Sequence, residues 1–476
     1  MAKIKTVPLA ALCAIMLVSC PIFPDPRLGS PSENLDILEE NSFYAQNMTN
    51  EKYYKVKAEK LFEGKECVIW AERGSGVTQR QATEIAAEYD GKIRQKMADA
   101  FSKKNFTENH RDETYHFEDM LDYANWLAGR NDKKLTVLLL DIKDGFKNPR
   151  TDSYVAGYFF SGNFYPKGKI AGHKHYSNSR DMIYVDTDPG LKTEARQTYA
   201  TFAHELQHLI NYVTSVQQER TPLMDTWVDE GLSSQAEYIY LGENPRDKRG
   251  WLSNSENTIN TGNNFFVWGN HMEDPKSLAI LDDYATVYLF FRWLYLQADT
   301  GLRSNIFYDI ITSSSFDYQA VTAAANKIDP SWNNWETLLR TWFAANYYPR
   351  NPYGYTGDTE LQNIIKIAPI AENTVSLYPG EGVYSIIDGS HSAADAGNIR
   401  YAGLGNTGAI NTSPPYTEDV LLAFNANTIK AAMPETGHLT GVSPSVSRTA
   451  AENTQAKKFN GPYVIDARDA LTRNKN

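Results

Sequence analysis

Apolar residues along the chain follow two different periods, and the switch between them divides it. "ECVIWAE" (66–72) has the β-branched and aromatic content of a strand. The next stretch is helical: Thr78 and Gln81 stand at capping-box positions, and Ile85, Tyr89, Ile93, Met97 and Phe101 recur at helical spacing. "KLTVLLLDI" (134–142), "YVAGYFF" (154–160) and "DMIYVD" (181–186) read as further strands, so residues 51–190 form a mixed α/β layer. From Lys192 the helical period takes over. "KTEARQTYATFAHELQHLINYVTSVQQ" contains neither Gly nor Pro, and "TWVDEGLSSQAEYIYLG" (226–242) is a second helix, with Thr226 and Asp229 at capping-box positions and Gly242 as a stop. Aromatic-rich helices follow at 282–298 and 332–348, giving a helical part over 191–349. After Pro349 the chain is rich in Gly, Pro, Asn, Ser and Thr, with short strand-like pieces "VYSIID" and "DVLLAF". Residues 350–476 therefore read as a β-rich C-terminal module, with loose segments near 388–415 and 434–458, and the fold class is α+β.

With 476 residues, 42% of them hydrophobic and 12% aromatic, the chain can bury a large core in roughly two or three domains. The formal net charge of -11 and the absence of a long basic run exclude nucleic acid as the expected partner. Lys3 and Lys5 precede "TVPLAALCAIMLV", an apolar run too short to span a membrane, so residues 1–19 read as a secretory signal peptide. The run ends in "LVSC", Leu17 to Cys20, which resembles a bacterial lipobox. That resemblance implies cleavage before Cys20, acylation of its thiol with palmitate-type lipid, and an exported lipoprotein of the cell envelope. Residues 20–50 then carry the lipidated cysteine and a tether. The other cysteines are Cys13, inside the signal, and Cys67, inside an apparent strand, so the mature chain has no intrachain disulfide and Cys67 reads as a small buried residue.

The candidate chemistry lies in "TFAHELQHLINYV" (201–213). His204 and His208 are four residues apart, one turn apart on one helical face, where a single ion can take both imidazoles. Phe202, Leu206, Leu209 and Val213 form an apolar stripe, flanked by Tyr199, Ala203 and Ile210; the histidines point to the opposite side, with Glu205 at the edge between. Catalytic zinc takes three protein ligands and leaves a position for water. Glu230, 22 residues after His208, offers the third ligand if the second helix returns antiparallel, and its place in the first turn favours it. Glu237, seven residues further on nearly the same face, competes, and otherwise stands behind a ligand as its partner. Thr214 and Asn211 occupy the positions where a metzincin needs histidine and glycine, which excludes that pattern.

"FAHELQHLINY" followed by "TWVDEGLSSQAE" resembles the gluzincin metallopeptidases, specifically the hyicolysin-type M30 peptidases. "YVAGYFFSGNFY", "SNSRDMIYVDT" and "DDYATVYLFFRWLY" are similar to segments of that family, so the resemblance spans roughly residues 60 to 345. It implies a zincin-like fold: a mixed-sheet part, a helical part carrying the zinc helix, and one Zn2+ per chain. It also implies a zinc endopeptidase, with His204, His208 and Glu230 as ligands and Glu205 as general base. One position departs from the pattern. Thermolysin-like gluzincins carry an Asp four residues after the Glu ligand to orient a zinc histidine; here that position is Ser234, and Glu237 is the candidate to replace it.

The tetrahedral oxyanion of peptide hydrolysis needs a donor besides the metal. Tyr284 is the first choice, with Tyr288 and His271 as alternatives. His173 and His175 could share a strand face as a second metal pair, but no third ligand lies nearby, and an edge segment beside the cleft is the plainer reading. By analogy with zincins, residues 154–186 hold the edge strand on which an extended substrate pairs. Asp186 and Asp188 in "DTDPG" could bind calcium or simply make a turn before the zinc helix. The expected partners are a protein or peptide substrate and, through the lipid, a membrane, with the oligomeric state open. The alternative from a different class is a non-catalytic adhesin or scaffold lipoprotein on a degenerate peptidase fold. Glu205 weighs against it, because hydrolysis needs that carboxylate and binding does not.

Overall fold

The computed structural model describes residues 38–103, 134–147, 153–165, 167–169, 175–192, 195–218, 222–253, 265–266, 280–350, 352–371, 374–429, 435–438 and 463–466. The signal segment and Cys20 therefore lie outside the described residues. Its first layer is a mixed sheet of β1 (Ser42–Gln46), β2 (Tyr53–Glu63), β3 (Cys67–Glu72), β4 (Leu135–Leu140), β5 (Ser153–Phe159) and β8 (Met182–Asp186). Two short paired strands, β6 (Gly168–Lys169) and β7 (Tyr176–Ser177), stand between β5 and β8. The spatial order is β1-β2-β3-β4-β8-β5, and the C-terminal strand Tyr463–Asp466 lies outside β5. β3, β4 and β8 run parallel, whereas β5 pairs antiparallel with β8. β4 is buried throughout and apolar at every position but Thr136, because both its faces are covered: Val137 and Leu139 enter one core, Leu138 and Leu140 the other.

Thr78 and Gln81 close the expected capping box at the start of α1 (Gln79–Glu88), which continues through two π-helical turns to Ser102. Ile85, Tyr89, Ile93, Met97 and Phe101 are buried as their spacing requires. α2 (Ala195–Asn211) carries the histidines, and α3 (Thr226–Leu241) carries Glu230. α4 (Arg246–Ser253), α5 (Ile280–Gln297) and, beyond shorter helices, α6 (Trp335–Tyr347) complete the scaffold around the site. The cluster behind α3 is aromatic: the Trp227 ring lies 5.4 Å from Trp335 and 5.8 Å from Phe291, and Phe290 lies 5.5 Å from Trp342.

Several expectations need correction. Asp225, not Thr226, is the N-cap of α3, and its side chain makes no capping bond; Gly242 does end the helix. The tether stops short of residue 50, because Phe43, Tyr44 and Ala45 are buried and Asn178 bonds both backbone groups of Tyr44, at 2.8 and 2.9 Å. The stretch 388–415 is not loose. Ile399–Leu404 pairs along Val420–Asn425 and buries Ile399, Tyr401, Ala402 and Leu404, so its Gly and Asn content belongs to turns. Glu435–His438 pairs with Thr374–Leu377, and the rest of 434–458 lies outside the described residues. The β-rich character of 350–476 holds, since Gly382–Ile386, Val420–Asn425, Ile399–Leu404 and Ile410–Asn411 form a separate antiparallel sheet, and this sheet packs on the rest of the chain. The Tyr384 hydroxyl donates to the Phe343 carbonyl of α6 at 2.9 Å, Leu422 and Phe424 join the main core, and Tyr463–Asp466 joins the first sheet. Cys67 is buried in β3, and burial pushes its thiol up, as for an inert core cysteine. Among the described residues no helix is long and apolar enough to cross a membrane.

Candidate metal centre

α2 is buried on almost every side, and α3 packs along the face bearing the histidines, leaving His208 and Asp229 partly exposed. The register shows an antiparallel return: His204 meets Glu237, while His208, one turn on, meets Asp229 and Ser233. Glu230 closes the site. Its Oε2 lies 3.2 Å from His204 Nε2 and 3.5 Å from His208 Nε2. Metal–ligand bonds of about 2.0–2.1 Å at tetrahedral angles put neighbouring donor atoms roughly 3.3 Å apart, so the spacing fits a zinc ion. One candidate ligand atom from each of the three residues lies within 4.8 Å of the others, and no other such group occurs among the described residues.

The far side of each imidazole is held. Glu237 Oε1 lies 2.9 Å from His204 Nδ1. For His208 Nδ1 the partners are Asp229 Oδ2 and Ser233 Oγ, both at 3.0 Å. Carboxylates thus face both nitrogens of each ring and, against the effect of burial, raise both histidines; a metal bound at the two Nε2 atoms would take the place of the proton there, leaving each Nδ1–H to donate to Glu237 or to Asp229 and Ser233. The Ser234 hydroxyl is buried and has no hydrogen-bond partner among the described residues. Glu237, one turn further along α3, supports His204 instead. Asp229 was missed because its place in the first turn reads as a capping residue. Its useful signal was the i,i+4 spacing to Ser233, which puts both on the face that bears Glu230.

Glu205 differs from these. It is 1% exposed, its Oε1 has no partner among the described residues, and burial pushes its carboxyl up to about 7. A buried acceptor left unpartnered beside a metal-ligand cluster is costly to the fold and free for chemistry.

Over 354 residues, covering 73% of this chain and 71% of the relative, the sequence is 28% identical to the neutral metalloprotease ShpI of Staphylococcus hyicus. The chain is similar to a metalloprotease. This relative bears out the metallopeptidase resemblance carried by the histidine helix and its neighbours. No protein-family model matches the chain.

Tyr284 on α5 is buried, its ring 6.4 Å from that of His204 and its hydroxyl bonded to Glu230. Burial, then the carboxylates of Glu230, Glu205 and Glu237, hold that hydroxyl firmly protonated. The Tyr288 hydroxyl is engaged elsewhere, donating to Asn244 Oδ1. His271 and His173 lie outside the described residues, and His175 Nδ1 stands 3.1 Å from the Tyr53 hydroxyl, on the sheet. Asp186 and Asp188 do not converge on a shared cation. The Asp186 carboxylate accepts from the Ile142 and Gly190 amides at 3.1 and 2.8 Å, and Asp188 pairs with Lys192 at 2.6 Å. The calcium reading therefore gives way to the turn. Lys248 on α4 was not foreseen: it is buried, pairs with Asp247 at 2.6 Å, and its Nζ lies 5.3 Å from the Tyr284 ring centroid. Burial alone would depress it, but Asp247, Glu237 and Glu230 outweigh that and keep it charged.

Proposed function

We propose that the protein is a zinc-dependent endopeptidase of the M30-like gluzincin type, exported and held at the cell envelope through Cys20. The observation that carries the catalytic reading is the convergence of His204, His208 and Glu230 beside the unpartnered Glu205 carboxylate. Zinc held there would supply a Lewis acid that polarises the scissile carbonyl and acidifies a water. Glu205 accepts the proton of the attacking water as its oxygen bonds to the carbonyl carbon. It then returns that proton to the leaving nitrogen as the C–N bond breaks. Glu237 and Asp229 hold the two imidazoles in the metal-binding tautomer. Tyr284, with its hydroxyl on Glu230, is placed to donate to an oxyanion formed beside that carboxylate. The signal and lipobox pattern of residues 1–20 support the envelope reading.

The test is Glu205→Gln, with zinc content and casein cleavage measured in parallel. Zinc retained with proteolysis lost is the expected result. Unchanged proteolysis would overturn the role of Glu205, and a wild-type chain that binds no zinc would favour an adhesin or scaffold. Loss of palmitate labelling in Cys20→Ala tests the anchor.

A further inference from the structure

Gly157 of β5 is where the sheet meets the metal centre. A Cβ at this position would lie 2.9 Å from the Tyr184 carbonyl oxygen and 3.0 Å from both Glu205 Cγ and Thr201 Cγ2, so only glycine allows β5 to lie this close to α2. One edge of β5 pairs with β8, Gly157 opposite Val185. The other edge carries a segment from near the C-terminus, antiparallel, with Tyr463 opposite Gly157, Val464 opposite Val155 and Asp466 opposite Ser153. An extended peptide adds to a strand edge through main-chain hydrogen bonds alone, so whatever occupies this edge excludes any other backbone from it.

We propose that Tyr463–Asp466 is an intramolecular competitor for the substrate: it fills the β5 edge that a protein substrate must take to lay a peptide bond beside Glu205. This rests on the peptidase reading above. The contact is built to be displaced. It is four residues long, and its register slips between Tyr463 and Val464, which leaves Ala156 without a partner next to Gly157. Its Val and Ile favour the extended state, and its tether to the same chain keeps its local concentration high. Substrate thus competes with a weak but ever-present strand.

The test uses the full chain and the double variant Val464→Pro, Ile465→Pro. Alternate residues of an antiparallel strand bond across the ladder, so one of these two neighbours must lose its bond to β5. The variant is expected to show a KM for a peptide substrate lowered by about threefold or more with kcat unchanged. It should also bind a labelled peptide of residues 461–468 that the parent chain does not. A second measurement leaves the tail sequence intact. In the Glu205→Gln chain, saturating substrate should abolish amide-exchange protection over 463–466 while β5 stays protected. An unchanged KM with the labelled peptide bound by neither form, or protection of 463–466 that survives saturating substrate, would overturn the inference. If no form cleaves any substrate but the labelled peptide binds the proline variant alone, the edge competition stands and the peptidase reading falls.

Discussion

The α2–α3 interface and the strand Val420–Asn425 are equally well hidden from water, yet they bury opposite kinds of group. Between the helices lie His204, Gln207, Asn211, Glu230, Ser233 and Glu237, with Glu205 buried beside them; along the strand lie Val420, Leu421, Leu422, Ala423 and Phe424, and only Asn425 is polar, donating to the Leu377 carbonyl at 2.8 Å. Removing apolar surface from water favours folding, whereas burying a polar group costs free energy unless it is fully hydrogen-bonded. The helix pair is thus a region whose polar content the fold does not need. It is held in place by the aromatic cluster of Trp227, Phe290, Trp335 and Trp342 behind it. Burial alone does not mark function; burial of polar groups against the interest of stability does.

That contrast can be broken most forcefully by separating activity from stability. Glu205→Gln should lower kcat/KM by roughly 10²–10⁴-fold while leaving the unfolding midpoint unchanged or raised, because the amide removes a buried carboxylate. Phe424→Ala in the sheet should do the reverse: about 3–5 kcal/mol of stability lost in urea unfolding, with kcat preserved at temperatures where the chain stays folded. A large loss of stability in Glu205→Gln, or a lost kcat in folded Phe424→Ala, would erase the distinction.

Asp186 sharpens the comparison, since it is a buried carboxylate outside the metal centre whose partners are two backbone amides. Burial, only partly offset by those amides, pushes it up from 3.8 to about 7. Between these values the folded chain keeps a proton that the unfolded chain has released. Stability from this group is therefore full below about pH 4, falls as pH rises toward 7 and is flat above, by on the order of a few kcal/mol in all. Urea unfolding of wild type and Asp186→Asn across pH 4–8 checks this. The difference between the two curves should slope in that window and nowhere else, and a constant difference would refute it.

The strands, the long helices and the histidine–glutamate cluster were legible because each rests on local periodicity or on a spacing that a helix turns into proximity. Ser42–Gln46 and Ile399–Leu404 were not. Their residues become strands by pairing with partners that the local pattern does not name, Tyr53–Lys57 for the first and Val420–Asn425 for the second. The placement of Tyr463–Asp466 on β5 is more remote still, some 300 residues away in sequence. At the site, the three candidate ligands come together through one helical turn plus one return. Asp229 and Lys248 needed the packing of α3 and α4, and the cover over the histidine face needed the whole helix pair.

The smallest expected effect concerns what replaces the aspartate absent at position 234. Glu237 and Asp229 each hold one imidazole, but in different settings: Glu237 is fully buried and faces His204 Nδ1 at 2.9 Å, whereas Asp229 is partly exposed and shares His208 Nδ1 with Ser233. An amide at either position can still accept the Nδ1 proton but carries no charge to strengthen it, so Glu237→Gln and Asp229→Asn should each weaken zinc binding, within a range of about 10–100-fold. The loss should be greater for Glu237→Gln, because Ser233 remains to hold His208 when Asp229 is changed. Zinc competition with a chromogenic chelator gives both affinities, and Ser234→Asp in the Glu237→Gln background completes the comparison. If the aspartate at 234 restores affinity, Glu237 fills the role that position has lost; if affinity stays low, the turn between 234 and 237 aims the two carboxylates at different atoms.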